Sequence, residues 1–262
     1  MSEYDSYNQN NYQATYDLSN KLSKGVFLTK VFTKMFICLL ITTAVAALFG
    51  FGFQELLIRT ADAEGNLNET LVTVLVVTLI VSAIALLIMS FVLPIMFMRA
   101  KHNIAVPLYI YVTLMGILLS TFTFIVDWVI LVEAFGITTL IFGVMGLLGY
   151  VSKGKLTGIW VILLGLLIGA GLLSLFNWIM IIARGYNEQT MMISWIVSLL
   201  VFAFLMLITL YDVYRIKRIA ENGAQQDNNL INYCAYVLYS DFIAILVRVI
   251  YFLAIIFGKS KK

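Results

Sequence analysis

Charge is what this sequence has least of. Asp, Glu, Lys and Arg make up 12% of its 262 residues, where a soluble domain carries about a quarter. Histidine occurs once, at His102, proline only at Pro94 and Pro107, and cysteine only at Cys38 and Cys234. A single histidine in a basic loop leaves a serine hydrolase within a membrane without its base. No His-Glu-x-x-His pair offers a zinc site. Each cysteine falls in an apolar run, so the two form no disulfide framework or metal cluster and read as small buried hydrophobes. The glycines of Gly143-Val-Met-Gly-Leu-Leu-Gly149 lack the preceding strand of a dinucleotide turn, and Gly258-Lys259-Ser260 lacks the upstream glycine of a phosphate loop. The expectation is a protein that is not an enzyme and carries no cofactor. Seventeen basic and fourteen acidic residues leave a net charge of +3. The basic residues are scattered through short loops, which argues against a nucleic-acid partner.

What is abundant is apolar: 62% of the residues are hydrophobic. One soluble globule of this length cannot enclose that excess and still face water. The chain reads as an integral membrane protein, with the lipid bilayer as its first partner. Seven runs are long enough to cross a hydrocarbon core as helix: Met35–Phe53, Leu71–Met98, Ile104–Val126, Trp128–Tyr150, Gly158–Ala183, Met191–Tyr211 and Leu230–Phe257. Backbone groups in lipid must be satisfied within their own segment, so these are helices, and the short connections make neighbours antiparallel. The fold class is therefore an all-α integral membrane bundle of seven transmembrane helices. Residues 1–30 are expected as a polar, disordered cytosolic tail without a signal-peptide core, 31–258 as the membrane domain and 259–262 as a basic C-terminal tail.

Orientation follows from Lys and Arg. Lys21, Lys24, Lys30 and Lys34 precede span one; Arg99 and Lys101 follow span two; Lys153 and Lys155 follow span four; Arg215, Lys217 and Arg218 follow span six. All lie on one side, which the positive-inside rule makes cytosolic, together with the N-terminus. Lys259, Lys261 and Lys262 disagree, since a full crossing by span seven puts them outside. Either the rule fails at the chain's end or the last segment is partly inserted; its length favours crossing. Gly165 and Gly169 in span five, and Gly143, Gly146 and Gly149 in span four, are expected to pack helices closely.

A charge at bilayer depth costs at least about 2.5 kcal/mol and points to function. The candidates are Glu133, Asp212, Asp241 and Arg248, with Arg99 at the end of span two. Glu133 near the outer end of span four reads as snorkelling to the interface. The midpoint between Asp212 and Asp241 falls within the polar stretch Glu221-Asn-Gly-Ala-Gln-Gln-Asp-Asn-Asn229, read as the turn of a helical hairpin. Both carboxylates then stand at about the same height, Asp241 about 15 Å past the turn. Facing each other in low dielectric, they cannot both ionise easily; they share a proton, titrate as a unit, and can switch with pH or bind a cation. Spacing alone leaves open two unrelated acids, each with its own basic partner. Arg99 is either a counter-ion to the pair or an ordinary interfacial anchor. Arg248, two turns past Asp241, is a second candidate counter-ion.

The motifs around these residues resemble a known family. Thr209-Leu-Tyr-Asp-Val-Tyr-Arg-Ile-Lys217 and Leu238-Tyr-Ser-Asp-Phe-Ile243 resemble the aspartate motifs of spans six and seven in the Bax inhibitor family, the transmembrane Bax-inhibitor-motif proteins. Phe135-Gly-Ile-Thr-Thr-Leu-Ile-Phe142 with Gly149-Tyr150 is similar to that family's span four. The resemblance runs from span two to the C-terminus. It implies a bundle with the seventh helix central, and a pH-sensitive calcium leak with an aspartate pair as sensor and an arginine of span two as latch. Asp212 and Asp241 match the pair residue by residue, and so become possible calcium ligands; Arg99 matches the latch by location. The resemblance also implies calcium or other cations as cargo, and a role as a non-conducting regulator of membrane proteases or cell-death partners as the alternative. The expected location is a prokaryotic cytoplasmic membrane, with the endoplasmic reticulum or Golgi membrane as the alternative. Departures are Ala244 in place of the family's asparagine, Tyr251 where an arginine is common, with Arg248 three positions earlier, and Lys153-Gly-Lys155-Leu156 after span four. An intramembrane aspartyl protease fails at Asp241, which Leu238-Tyr-Ser precedes in place of Gly-x-Gly.

Overall fold

The computed structural model of the chain describes residues 3–60, 68–99, 103–152, 158–185, 187–221 and 227–258, with side chains from Gly25 onward except Arg184. Lys101, His102, Lys153, Lys155 and the 259–262 tail lie outside them. Every described element is a helix: α1 (Glu3–Arg59), α2 (Glu69–Met98), α3 (Ala105–Leu119), α4 (Phe122–Ile125), α5 (Trp128–Val151), α6 (Ile159–Arg184), α7 (Glu188–Glu221) and α8 (Asn228–Gly258). Seven stretches are long and apolar enough to cross a membrane, α3 and α4 together making the third. Large apolar side chains such as Leu48, Leu140 and Val161 point outward, more than two-thirds exposed, which lipid solvates and water would not.

Local chemistry sets the ends. Asn68 Oδ1 accepts from the backbone N–H groups of Thr70 (3.0 Å) and Leu71 (3.4 Å), and Glu69 sits in the first turn of α2, so both the orphan donors and the helix dipole are met. Pro107 lies in the first turn of α3, where no N–H is needed. Gly185 closes α6 at φ +74°, with its N–H on the Ile181 carbonyl. The third span breaks at Ser120 and Thr121. Their hydroxyls and that of Thr123 donate to the carbonyls of Ile117 (2.6 Å), Leu118 (2.8 Å) and Ser120 (2.7 Å), satisfying backbone that a break would otherwise strand in lipid.

The chain divides into two units, one of residues up to Trp128 with Ile216–Tyr239, the other of Val129–Arg215 with Ser240 onward. In the first, α3 packs on α1 and α2. Gly116 allows that approach, since a Cβ there would stand 2.7 Å from Val45 Cβ and 2.9 Å from the Thr42 carbonyl oxygen. Thr42 Oγ1 donates to the Val112 carbonyl (3.2 Å) and so accepts from the Tyr239 hydroxyl (2.6 Å), tying α1, α3 and α8 through one relay. Tyr239 and Thr42 are both buried. Tyr239→Phe is expected to cost about 1 kcal/mol, and Thr42→Val more, because it strands the buried tyrosine hydroxyl. Thermal unfolding in detergent reads the order; equal losses would show that the relay contributes nothing as a relay.

In the second unit Phe242 is held between Phe135 (5.4 Å between centroids) and Phe142 (5.6 Å), and Phe252 sits beside Trp195 and Phe202. α8 is the most enclosed helix, with Ala235, Leu238, Tyr239 and Ile245 fully buried.

Helix α1 begins at Glu3, within residues 1–30. Two sequence expectations change. Helix α7 runs to Glu221, well past the Tyr211 expected to end span six, because Val213, Tyr214, Ile216 and Ala220 all bury. Of the glycines expected at helix contacts, Gly143, Gly146, Gly165 and Gly169 face open space, and only Gly149 meets a neighbour.

Candidate functional site

Helix α7 brings Asp212 into the second unit between two fixed neighbours. Tyr211 accepts a hydrogen bond from Trp160 Nε1 of α6 (2.8 Å), an aromatic pair with one polar end each. On the other side, Val213 is buried against Gly149 of α5, where a Cβ would collide with the Leu210 carbonyl oxygen. Thr209, fully buried, returns its hydroxyl to the Leu205 carbonyl (2.8 Å) and leaves the helix unbroken. The residues on both sides of Asp212 therefore fix its backbone against α5 and α6.

Asp241 is placed by the residue after it. Phe242, clasped by Phe135 and Phe142, locks α8 against α5. Asp241 is 9% exposed and its Oδ2 has no hydrogen-bond partner among the described residues. Asp212 is half-buried. The two carboxyls act on each other electrostatically, and Arg215, one turn beyond Asp212, acts on Asp212. The two aspartates stand at different distances from their helix ends: Asp212 lies nine residues before the end of α7 and Asp241 thirteen after the start of α8. That offset of about four residues, or about 6 Å, arises because α7 ends at Glu221 and α8 begins at Asn228, so the gap between them is centred about two residues before the midpoint of the two aspartates. The carboxyls remain within electrostatic reach all the same.

The other candidates fall elsewhere. Arg248 is half-buried on α8, two turns past Asp241 in the same unit. Glu133 is exposed on α5. Arg99 belongs to the first unit, exposed at the end of α2, with its backbone N–H on the Ile95 carbonyl (3.1 Å). Among the described residues no three His, Cys, Asp or Glu gather as a metal site. A resident calcium takes about six to eight oxygens, more than two carboxylates alone supply.

Sequence reading missed several buried polar residues. Thr138 is fully buried with an unpartnered hydroxyl; Asn177 donates to Ser194 Oγ (2.7 Å); Lys217 is buried 4.0 Å from Glu221. For Thr138 no signal separates it from Thr139 in the sequence, since only packing decides which of two adjacent threonines turns inward.

A family model described as "Inhibitor of apoptosis-promoting Bax1" matches residues 24–259, most of the chain.

Proposed function

The chain belongs to the Bax inhibitor family, and from that membership we propose that it is a pH-sensitive cation leak channel, with calcium as cargo, gated by Asp212 and Asp241. The observation that carries this reading is two carboxyls acting on each other inside otherwise apolar spans, one of them buried with an oxygen that finds no partner. Carboxylates in that setting resist double ionisation and change charge as a pair, which biases two helix arrangements toward closed or open. Calcium is a passing ion here, attracted by carboxylate charge and released because the pair cannot enclose it. We place its N-terminus in the cytosol, following the distribution of Lys and Arg, and take a prokaryotic cytoplasmic membrane as its location, with the endoplasmic reticulum or Golgi membrane as the alternative. The direct test is calcium entry into liposomes holding the pure protein, measured across pH. A pH-dependent leak is expected; no flux above protein-free liposomes at any pH overturns the channel reading.

A second reading is a non-conducting regulator that binds membrane proteases or cell-death partners, of which the family description names only an apoptosis-promoting protein. Such a regulator would leave the liposomes sealed.

Arg99 is the proposed latch. Attraction between a guanidinium and a carboxylate vanishes when the carboxylate is neutral. Arg99→Ala is therefore expected to raise flux several-fold at high pH and to converge with the parent at low pH, with flux normalised to folded protein. An interfacial anchor would instead lower the amount of inserted protein and leave the normalised curve unchanged.

A further inference from the structure

Helix threonines usually return their hydroxyl to the carbonyl one turn earlier. In this protein Thr43, Thr113, Thr139 and Thr209 all do so, at 2.8 to 2.9 Å. Thr138 does not. It is fully buried, and its Oγ1 meets no partner among the described residues. A stranded hydroxyl in an apolar span costs about 1–3 kcal/mol, so a hydroxyl held off its own helix points to a demand outside it.

The placement of Thr138 indicates where. It lies on α5 between Phe135 and Phe142, the two residues whose rings clasp Phe242. At about 100° per residue these three positions fall on one face of α5, the face turned to α8 at the level of Phe242. Asp241, adjacent to Phe242, carries the other stranded oxygen at this level, Oδ2. Ser240 Oγ is also unpartnered, but two residues from Phe242 it lies on the opposite side of α8. Asn177 Oδ1 is unpartnered too, but it lies on α6, where the amide Nδ2 donates to Ser194 of α7, and not on α5 or α8. The remaining two oxygens, a donor and an acceptor, are complementary.

We propose that Thr138 is a positioning residue for the carboxylate pair, its hydroxyl donating toward Asp241 Oδ2 through one water while that carboxyl is charged. The inference rests on the gating reading and deepens it. The charged groups around Asp241 in its unit are Asp212 on α7, with Arg215 beside Asp212, and Arg248 on α8 itself; the α5 face from Phe135 to Phe142 carries none. On that face α5 can therefore favour the charged form through a neutral donor, and Thr138 supplies one. A hydrogen bond to the charged form holds a carboxyl ionised to lower pH, and losing one moves its titration by about one pH unit or more.

The experiment compares Thr138→Val, which keeps the shape and removes the hydroxyl, with Thr138→Ser, which restores it. Flux across pH is measured in liposomes. The carboxyl C=O infrared band is titrated on the same samples and assigned by its loss in Asp241→Asn. Thr138→Val should move the midpoint of both curves to higher pH by about one unit or more, and Thr138→Ser should return it to the parent value. Parent-like curves in Thr138→Val, with Asp241→Asn still flattening the flux profile, overturn the role of Thr138 alone. An unchanged flux profile in Asp241→Asn overturns the gating reading and this inference with it. If a variant conducts too little to measure, the infrared midpoint decides: unmoved in Thr138→Val, it refutes the contact.

Discussion

Asp241→Asn is expected to flatten the pH dependence of cation flux, holding the leak near the level the parent reaches only in acid. The substitution keeps the size of the side chain and removes its ability to become charged, so it mimics the protonated carboxyl at every pH. Asp241 is the deeper of the two acids, 9% exposed on the most enclosed helix. Asp212→Asn should act in the same direction. It removes the charge that acts on Asp241 and leaves the remaining carboxyl to titrate alone. The decisive comparison is the double mutant. Two groups that share one proton behave as a unit, so the second substitution should add little to the first. If the changes in log flux are instead fully additive, the acids are independent and the coupled switch is wrong.

Gly149→Leu is expected to have the largest effect on folding. A Cβ at this position collides with the carbonyl oxygen of Leu210 and stands 3.1 Å from Val213 Cβ. Backbone cannot move aside as the end of a flexible side chain can. Gly149→Ala should already cost about 1–3 kcal/mol by overpacking, and Leu more, enough to deplete folded protein in detergent. Because Leu210 and Val213 flank Asp212, a surviving Gly149→Ala protein should also show a displaced pH profile. Gly165→Ala and Gly169→Ala are the controls. Nothing lies within 4 Å of a Cβ at either, and alanine is the better helix former, so both should fold as the parent does. Thermal unfolding and size-exclusion recovery compare the set. Equal tolerance of alanine at Gly149 and Gly165 would mean that α5 and α7 do not meet as closely as described.

The seven spans were legible in the sequence because bilayer thickness fixes how long an apolar run must be, and the absence of water inside it leaves helix as the only conformation for each run. The two aspartates were legible for the same reason: a charge in such a run is conspicuous. Their spacing about a polar stretch pointed to a helical hairpin, whose turn residues 222–226 lie outside the described residues. Only tertiary packing decided where the helices end, since α7 continues to Glu221 wherever its residues find neighbours to bury against. Packing also decided which glycines matter. Gly149 and Gly169 are the same residue in similar apolar helices, yet one meets a backbone carbonyl and the other open space. The sharpest case is the Thr138–Thr139 pair, where adjacent identical residues differ only in facing. Thr139 satisfies itself on the Phe135 carbonyl at the exposed surface, and Thr138 is fully buried with its hydroxyl unspent. One residue step turns a helix by about 100°, and the direction that turn faces is set by neighbouring helices far away in the chain.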